Sequence, residues 1–161
     1  MKIIKFPHPD LFIPCQPVTV FGAELKIILD GMWDTMIENS GVGLAANQVG
    51  ILRQMFVMAC ENEKIYLVNP VIVWASGTPA MQREGCLSAP GEWLVIFDRA
   101  DAIVVKYQDE NGNTFQKRFD EIPAVCAQHE IEHLSGKSFM ESKSIAKKTR
   151  QKLGKKWGFK K

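Results

Sequence analysis

Two histidines four residues apart, with a glutamate directly after the first, stand in the stretch Gln128-His129-Glu130-Ile131-Glu132-His133. On a helix, positions i and i+4 share a face one turn apart. Two imidazoles so placed can grip one metal ion, and Glu130 is then set to move a proton of a water held there. The pattern reads as the core of a metal-dependent hydrolase. Histidines at two such positions would otherwise interrupt an apolar face, where leaving them unpaired is costly.

Two histidines make an incomplete metal site. Downstream of Leu134 there is no histidine or cysteine, and the only carboxylate is Glu141. The remaining candidate is Cys86, in Arg83-Glu84-Gly85-Cys86-Leu87-Ser88-Ala89-Pro90-Gly91, where Pro90 and Gly91 predict a turn. Alone, Cys86 reads more readily as a small buried hydrophobe. Paired with the histidines, it completes a Cys-His-His set that leaves a tetrahedral position open, the mark of a catalytic site. A thiolate with two imidazoles is compatible with Fe(II) or Zn(II). The third histidine, His8, lies between Pro7 and Pro9 without ligand spacing and reads as structural. In Gly41-Val42-Gly43-Leu44-Ala45-Ala46-Asn47-Gln48-Val49-Gly50 the small residues allow close backbone approach. No Lys-Ser/Thr follows the glycines, so a phosphate loop is disfavoured. Gln48 is either a core amide satisfied by backbone or a donor aimed at a ligand.

The elements that must position these groups follow from periodicity. Residues 22–38 predict an amphipathic helix, with Leu25, Ile28, Leu29, Met32 and Met36 on one stripe and Asn39-Ser40-Gly41 ending it. Stretches 51–59, 65–74 and 103–108 are rich in Val, Ile, Tyr and Phe and predict strands. The turn at 109–113 predicts a hairpin into 114–118. The histidine helix spans 121–134, with Pro123 in its first turn and Gly136 just beyond its end. A basic helix over the tail, carrying Ile145 and Leu153, is expected to be weakened by Gly154 and Gly158. The fold class is α+β: short antiparallel sheets around a central metal-binding helix, with a C-terminal helix.

With 161 residues, the chain suits one domain with a hydrophobic core. The division expected is a catalytic body over 1–142 and a basic helix or tail of the same domain over 143–161. Hydrophobic residues are 46% and charged ones 24%, which argues against a disordered chain. No apolar run approaches the roughly 20 residues of a membrane span, and no signal-peptide core precedes Pro7. Cys15, Cys60, Cys86 and Cys126 include no CxxC pair, so free thiols and a cytoplasmic protein are expected. The net charge of +2 divides into +8 over 141–161 and −6 over the rest. The tail reads as a contact for a polyanion or as a solvated helix.

The three stretches around Gln48, Cys86 and His129, in this order, resemble the motifs of the peptide deformylase family. The resemblance extends over about residues 1–142 and includes Pro9-Asp10-Leu11 and the hairpin between the second and third motifs. It implies a hydrolase that removes the formyl group from the N-terminal formyl-methionine of nascent polypeptides, releasing formate. Cys86, His129 and His133 would hold one divalent metal, typically Fe(II) in this family, with Zn(II), Ni(II) or Co(II) able to occupy the site. Glu130 would act as general base and acid toward the metal's water, and Gln48 with the Leu87 backbone N–H would form the oxyanion site. Val42, Gly43, Gly85, Ile122, Val125 and Cys126 would bind substrate, with Cys126 as pocket wall. The basic tail would approach the ribosome, and the enzyme would be a monomer.

The chain departs from the family in two places. Glu132 stands where an aspartate is usual, and a contact to an arginine such as Arg99 is expected to survive the longer side chain. Gly91-Glu92-Trp93 lacks a basic residue that some members carry there, and Trp93 either edges the groove or packs. A zincin-like endoprotease would explain neither Cys86 nor the Gln48 motif. A non-catalytic or RNA-binding module would not need Glu130.

Overall fold

In the computed structural model the described residues are 1–61 and 63–158. Lys160 and Lys161, the end of the basic tail, lie outside the described residues.

The chain opens with an irregular segment holding one 3₁₀ turn, Pro9–Phe12, and leads into α1, Ala23–Glu38. Leu25, Leu29, Met32 and Met36 of α1 are buried, as the stripe requires. The glycine-rich stretch, expected only as close-packed backbone, contains a short strand β1, Gly43–Ala45, and a 3₁₀ turn, Ala46–Val49. Strands β2, Met55–Cys60, and β3, Glu63–Ala75, follow, and then β4, Pro79–Gly85, and β5, Trp93–Ala100. Strands β6, Ala102–Gln108, and β7, Thr114–Asp120, precede α2, Glu121–Leu134, and the chain closes with α3, Lys147–Trp157.

All strand pairs are antiparallel: one sheet runs β1-β2-β3-β6-β7 and a second is the β4–β5 hairpin. The α+β architecture is therefore as expected, with α2 packed between the two sheets' elements. Strand β2 starts four residues later than the apolar run, because Gly50 leaves the 3₁₀ turn in a left-handed conformation (φ 80°) and Arg53 bridges to Gln16.

Three apolar clusters hold the site. One sets Ala124, Cys126, Ala127 and Leu134 of α2 on the sheet through Phe56, Met58, Ile103 and Phe119. A second packs α1 on Leu44, Ala46, Met55, Val57 and Val68. The third joins Phe6 and Leu11 to Ala89 and Ile96, and to Phe139, Met140, Ile145 and Leu153, with Cys86 packed against it. This corrects the expectation for the tail. Ile145 precedes α3, whose N-cap is Ala146, and the helix is tied down by buried Leu153 and by Trp157. Gly158 caps it in the left-handed conformation (φ 74°), so that glycine ends the helix and does not weaken it.

Candidate metal centre

Helix α2 presents His129 and His133 on one face, with ring centroids 5.0 Å apart, and both are buried. Cys86 arrives from the turn between β4 and β5. Ligand atoms of Cys86, His129 and His133 all lie within 4.8 Å of one another. The Cys86 Sγ is 3.1 Å from His133 Nε2.

Partners outside the trio fix the histidines. The Nδ1–H of His129 donates to Glu84 Oε2 at 2.8 Å, which leaves Nε2 as the nitrogen that could ligate an ion. Glu84 in turn accepts from Arg99, from Nε at 2.5 Å and from Nη2 at 2.9 Å. Arg99 also donates to Glu132 Oε2 at 2.9 Å, so the longer side chain between the histidines keeps the expected contact. Sequence reasoning missed Glu84 as a brace for His129. Its place two residues before Cys86 was the only signal.

The electrostatics of this cluster suit a cation. Burial opposes charge on Glu84, yet the bonds from His129 and Arg99 outweigh it and hold the carboxyl below the usual range. Burial likewise opposes charge on His129, but Cys86 and Glu84 push it up to about 10. Burial and the neighbouring His129 drive His133 well down. His133 Nδ1 and Glu130 Oε2 are buried and have no hydrogen-bond partner among the described residues. The donor set, with the unmet Glu130 Oε2 beside it, fits a divalent ion.

Glu130 lies 4% exposed beside the trio, and burial pushes its carboxyl up to about 7. Gly43 makes its position possible: a Cβ there would stand 2.5 Å from Glu130 Oε1 and 2.7 Å from Cys126 Sγ. The Gln48 amide is held at both ends by protein groups. Its Oε1 accepts from the Ala45 N–H at 2.8 Å, and its Nε2 donates toward Ser88 Oγ at 3.1 Å and Cys86 Sγ at 3.4 Å. The Leu87 carbonyl accepts from Lys5 Nζ, a residue the sequence did not single out.

These groups sit on one cavity of about 620 Å³. Its lining includes Gln48, Cys86, Leu87, His129 and Glu130, and also all six expected substrate contacts, Val42, Gly43, Gly85, Ile122, Val125 and Cys126. His133 joins through the ligand cluster and not through the lining. Trp93 is on the rim, 59% exposed, its ring against Gly85, where a Cβ would come within 3.0 Å of it. His8 stands apart and caps the first 3₁₀ turn, accepting from the Asp10 N–H.

A sequence model of the family described as Polypeptide deformylase matches residues 1–150. The chain belongs to the polypeptide deformylase family. It is 40% identical to peptide deformylase 1 of Shewanella oneidensis, over 96% of this chain and 94% of that protein. A crystal structure of a peptide deformylase from Legionella pneumophila superposes with a TM-score of 0.88 at 34% identity, covering 98% of this chain and 92% of that one. The deformylase of the Vibrio parahaemolyticus bacteriophage VP16T, solved in complex with actinonin, superposes at 0.81 with 33% identity, covering 86% of this chain and all of that one (100%). The deformylase fold therefore accounts for the two sheets and three helices, and the Cys-His-His cluster lies within the matched span.

Proposed function

We propose that this deformylase is a metal-dependent amidohydrolase acting on N-terminal formyl-methionine of newly made polypeptides, with Cys86, His129 and His133 as ligands. The observation that carries this is the buried carboxylate of Glu130, pushed up to about 7, beside a cluster of Cys86, His129 and His133 that opens on a pocket through Cys86 and His129. A divalent cation in that cluster supplies Lewis acidity toward the formyl oxygen and makes a water acidic enough to ionise near neutral pH. Glu130 takes the proton of the attacking water and delivers it to the amine nitrogen as the C–N bond breaks, so that formate and a free N-terminus leave. The Gln48 amide, oriented by Ala45, and the Leu87 N–H donate to the oxygen on which negative charge develops. Losing one such donor typically costs about 10²–10³ in rate. Ile122, Val125 and Cys126, with Val42, Gly43 and Gly85 opposite, give the methionine side chain an apolar recess.

The reading extends to the cell. We assign Fe(II) as the ion held there, with Zn(II), Ni(II) or Co(II) as substitutes, since a soft thiolate with two imidazoles accepts all of them. Residues 1–142 are taken as the catalytic body and 143–161 as its basic extension, directed at the ribosome. A cytoplasmic location is favoured by four free cysteines, and the enzyme is taken as a monomer. No helix of the described residues is long and apolar enough to cross a membrane.

Formate release from a formyl-Met peptide tests the reading. Glu130→Gln is expected to keep one metal per chain and to lose at least about 10²-fold in kcat, whereas Cys86→Ala is expected to lose the metal. Cleavage of internal peptide bonds without formate would overturn the assignment. So would a Cys86→Ala protein that still carries one ion. Metal analysis after anaerobic purification decides the ion, and zinc in place of iron would remove the Fe(II) assignment.

A further inference from the structure

The mouth of the pocket carries charge that the chemistry at its base does not use. Five lining residues are carboxylates, lysine or arginine: Lys5, Arg83, Glu84, Glu92 and Glu130. Glu84 and Glu130 are buried. Glu92 accepts from Lys156 Nζ and from the Trp157 indole N–H, so α3 already neutralises it. Lys5 and Arg83 are exposed, and among the described residues neither is ion-paired to a carboxylate. The Arg83 guanidinium lies over the Trp93 ring, 5.3 Å from its centroid. That stacking holds a planar cation at the rim without a salt bridge, its N–H groups free for an incoming anion.

A formyl-methionyl peptide must pass this rim. With its formyl group at the Cys86 and histidine cluster and its side chain against Ile122 and Val125, the chain extends about 3.3 Å per residue. The second and third residues therefore emerge within about 10 Å, level with the lip. We propose that Arg83, stacked on Trp93 and assisted by Lys5, is a specificity determinant that selects formyl-methionyl peptides with an acidic side chain at the second or third position. The inference rests on the deformylase reading above and adds to it a preference among substrates. The pairing is solvent-exposed, so its effect is modest and salt-dependent.

The test compares kcat/KM for formyl-Met-Glu-Ser, formyl-Met-Gln-Ser and formyl-Met-Lys-Ser on one preparation of the metal-loaded enzyme. The ratio of the glutamyl to the lysyl peptide is expected to be about five- to tenfold and to fall toward one as salt approaches about 0.5 M. Arg83→Gln should bring the ratio near one at low salt, and Arg83→Glu should invert it. A ratio within one preparation does not depend on how much of the enzyme is folded or loaded. Equal rates for the three peptides in the wild-type enzyme would overturn the inference and leave deformylation standing, as would a preference that Arg83→Gln retains. No formate from any of the peptides would overturn the deformylase reading and this inference with it.

Discussion

Gly43 is the residue at which the site has no room for a side chain, because Glu130 and Cys126 occupy the space a Cβ would need. Gly43→Ala is expected to displace the Glu130 carboxylate, the proposed general base, and to lower kcat for formate release by about 10²-fold, the scale on which a misplacement of about 1 Å acts. Metal content should stay at one per chain, since the three atoms nearest that Cβ position belong to Glu130 and Cys126 and not to a proposed ligand. A wild-type kcat in this variant would show that Glu130 tolerates the shift. At this scale the sequence was legible where chemistry restricts residue type. A metal ion demands thiolate or imidazole donors, so His129 and His133 could be proposed as ligands from type and spacing, and Cys86 by elimination. The braces were harder. A carboxylate such as Glu84 and an arginine such as Arg99, fifteen positions apart, have no fixed spacing, because a strand pairing brings them together. Gln48 could be read two ways for the same reason: its orientation depends on an N–H of Ala45 that the fold delivers.

The helices are the elements most legible in the chain. Stripe, proline and glycine signals place α1 and α2 to within a residue. The β4–β5 hairpin was not foreseen, although it carries Glu84, Gly85, Trp93 and Arg99. Its apolar residues face both ways: Ile96 is buried, while Met81, Trp93, Val95 and Phe97 are exposed. Without a polar face there is no alternation to read. The hairpin is fastened to the segment before α3 through Asp98, which accepts from the Ser142 hydroxyl at 2.7 Å and from the Lys143 N–H at 3.1 Å. Partial burial raises the Asp98 carboxyl, but the Ser142 bond and the Ser144 backbone outweigh it and hold it below the usual range. A carboxylate depressed in the folded state stabilises above its unfolded pKa of about 3.9 and loses that contribution as pH falls through the folded value. Asp98→Asn is therefore expected to lower Tm at pH 7, and the gap to wild type should narrow below about pH 4. Thermal melts across pH 3–7 would check this, and a gap independent of pH would assign the loss to geometry and not to charge.

Over the whole molecule, charge is divided between a mildly acidic body and a basic end. Lys147, Lys148, Lys152 and Lys155 are exposed on α3, while Leu153 anchors the opposite face. Replacing these four lysines by glutamine is expected to weaken binding to ribosomes and to lower its salt dependence by roughly one unit of slope for each phosphate no longer neutralised. Hydrolysis of short formyl-Met peptides should be unaffected. Co-sedimentation at several salt concentrations would show it, and unchanged binding would remove the ribosome proposal. Deleting the tail would be a poorer test, because Ile145 and Leu153 belong to the cluster that also holds Phe6, Leu11, Ala89 and Ile96, with Cys86 against it. That same cluster has a consequence in time. A polypeptide is made from its N-terminus, and Cys86 and both histidines are synthesised before Phe139, Met140, Ile145 and Leu153. Until those later side chains arrive, the wall behind Cys86 is unfinished. If Cys86, His129 and His133 hold an ion as proposed, it would be captured firmly only once the residues of this cluster are available, which would make metal acquisition a late event in the making of the protein.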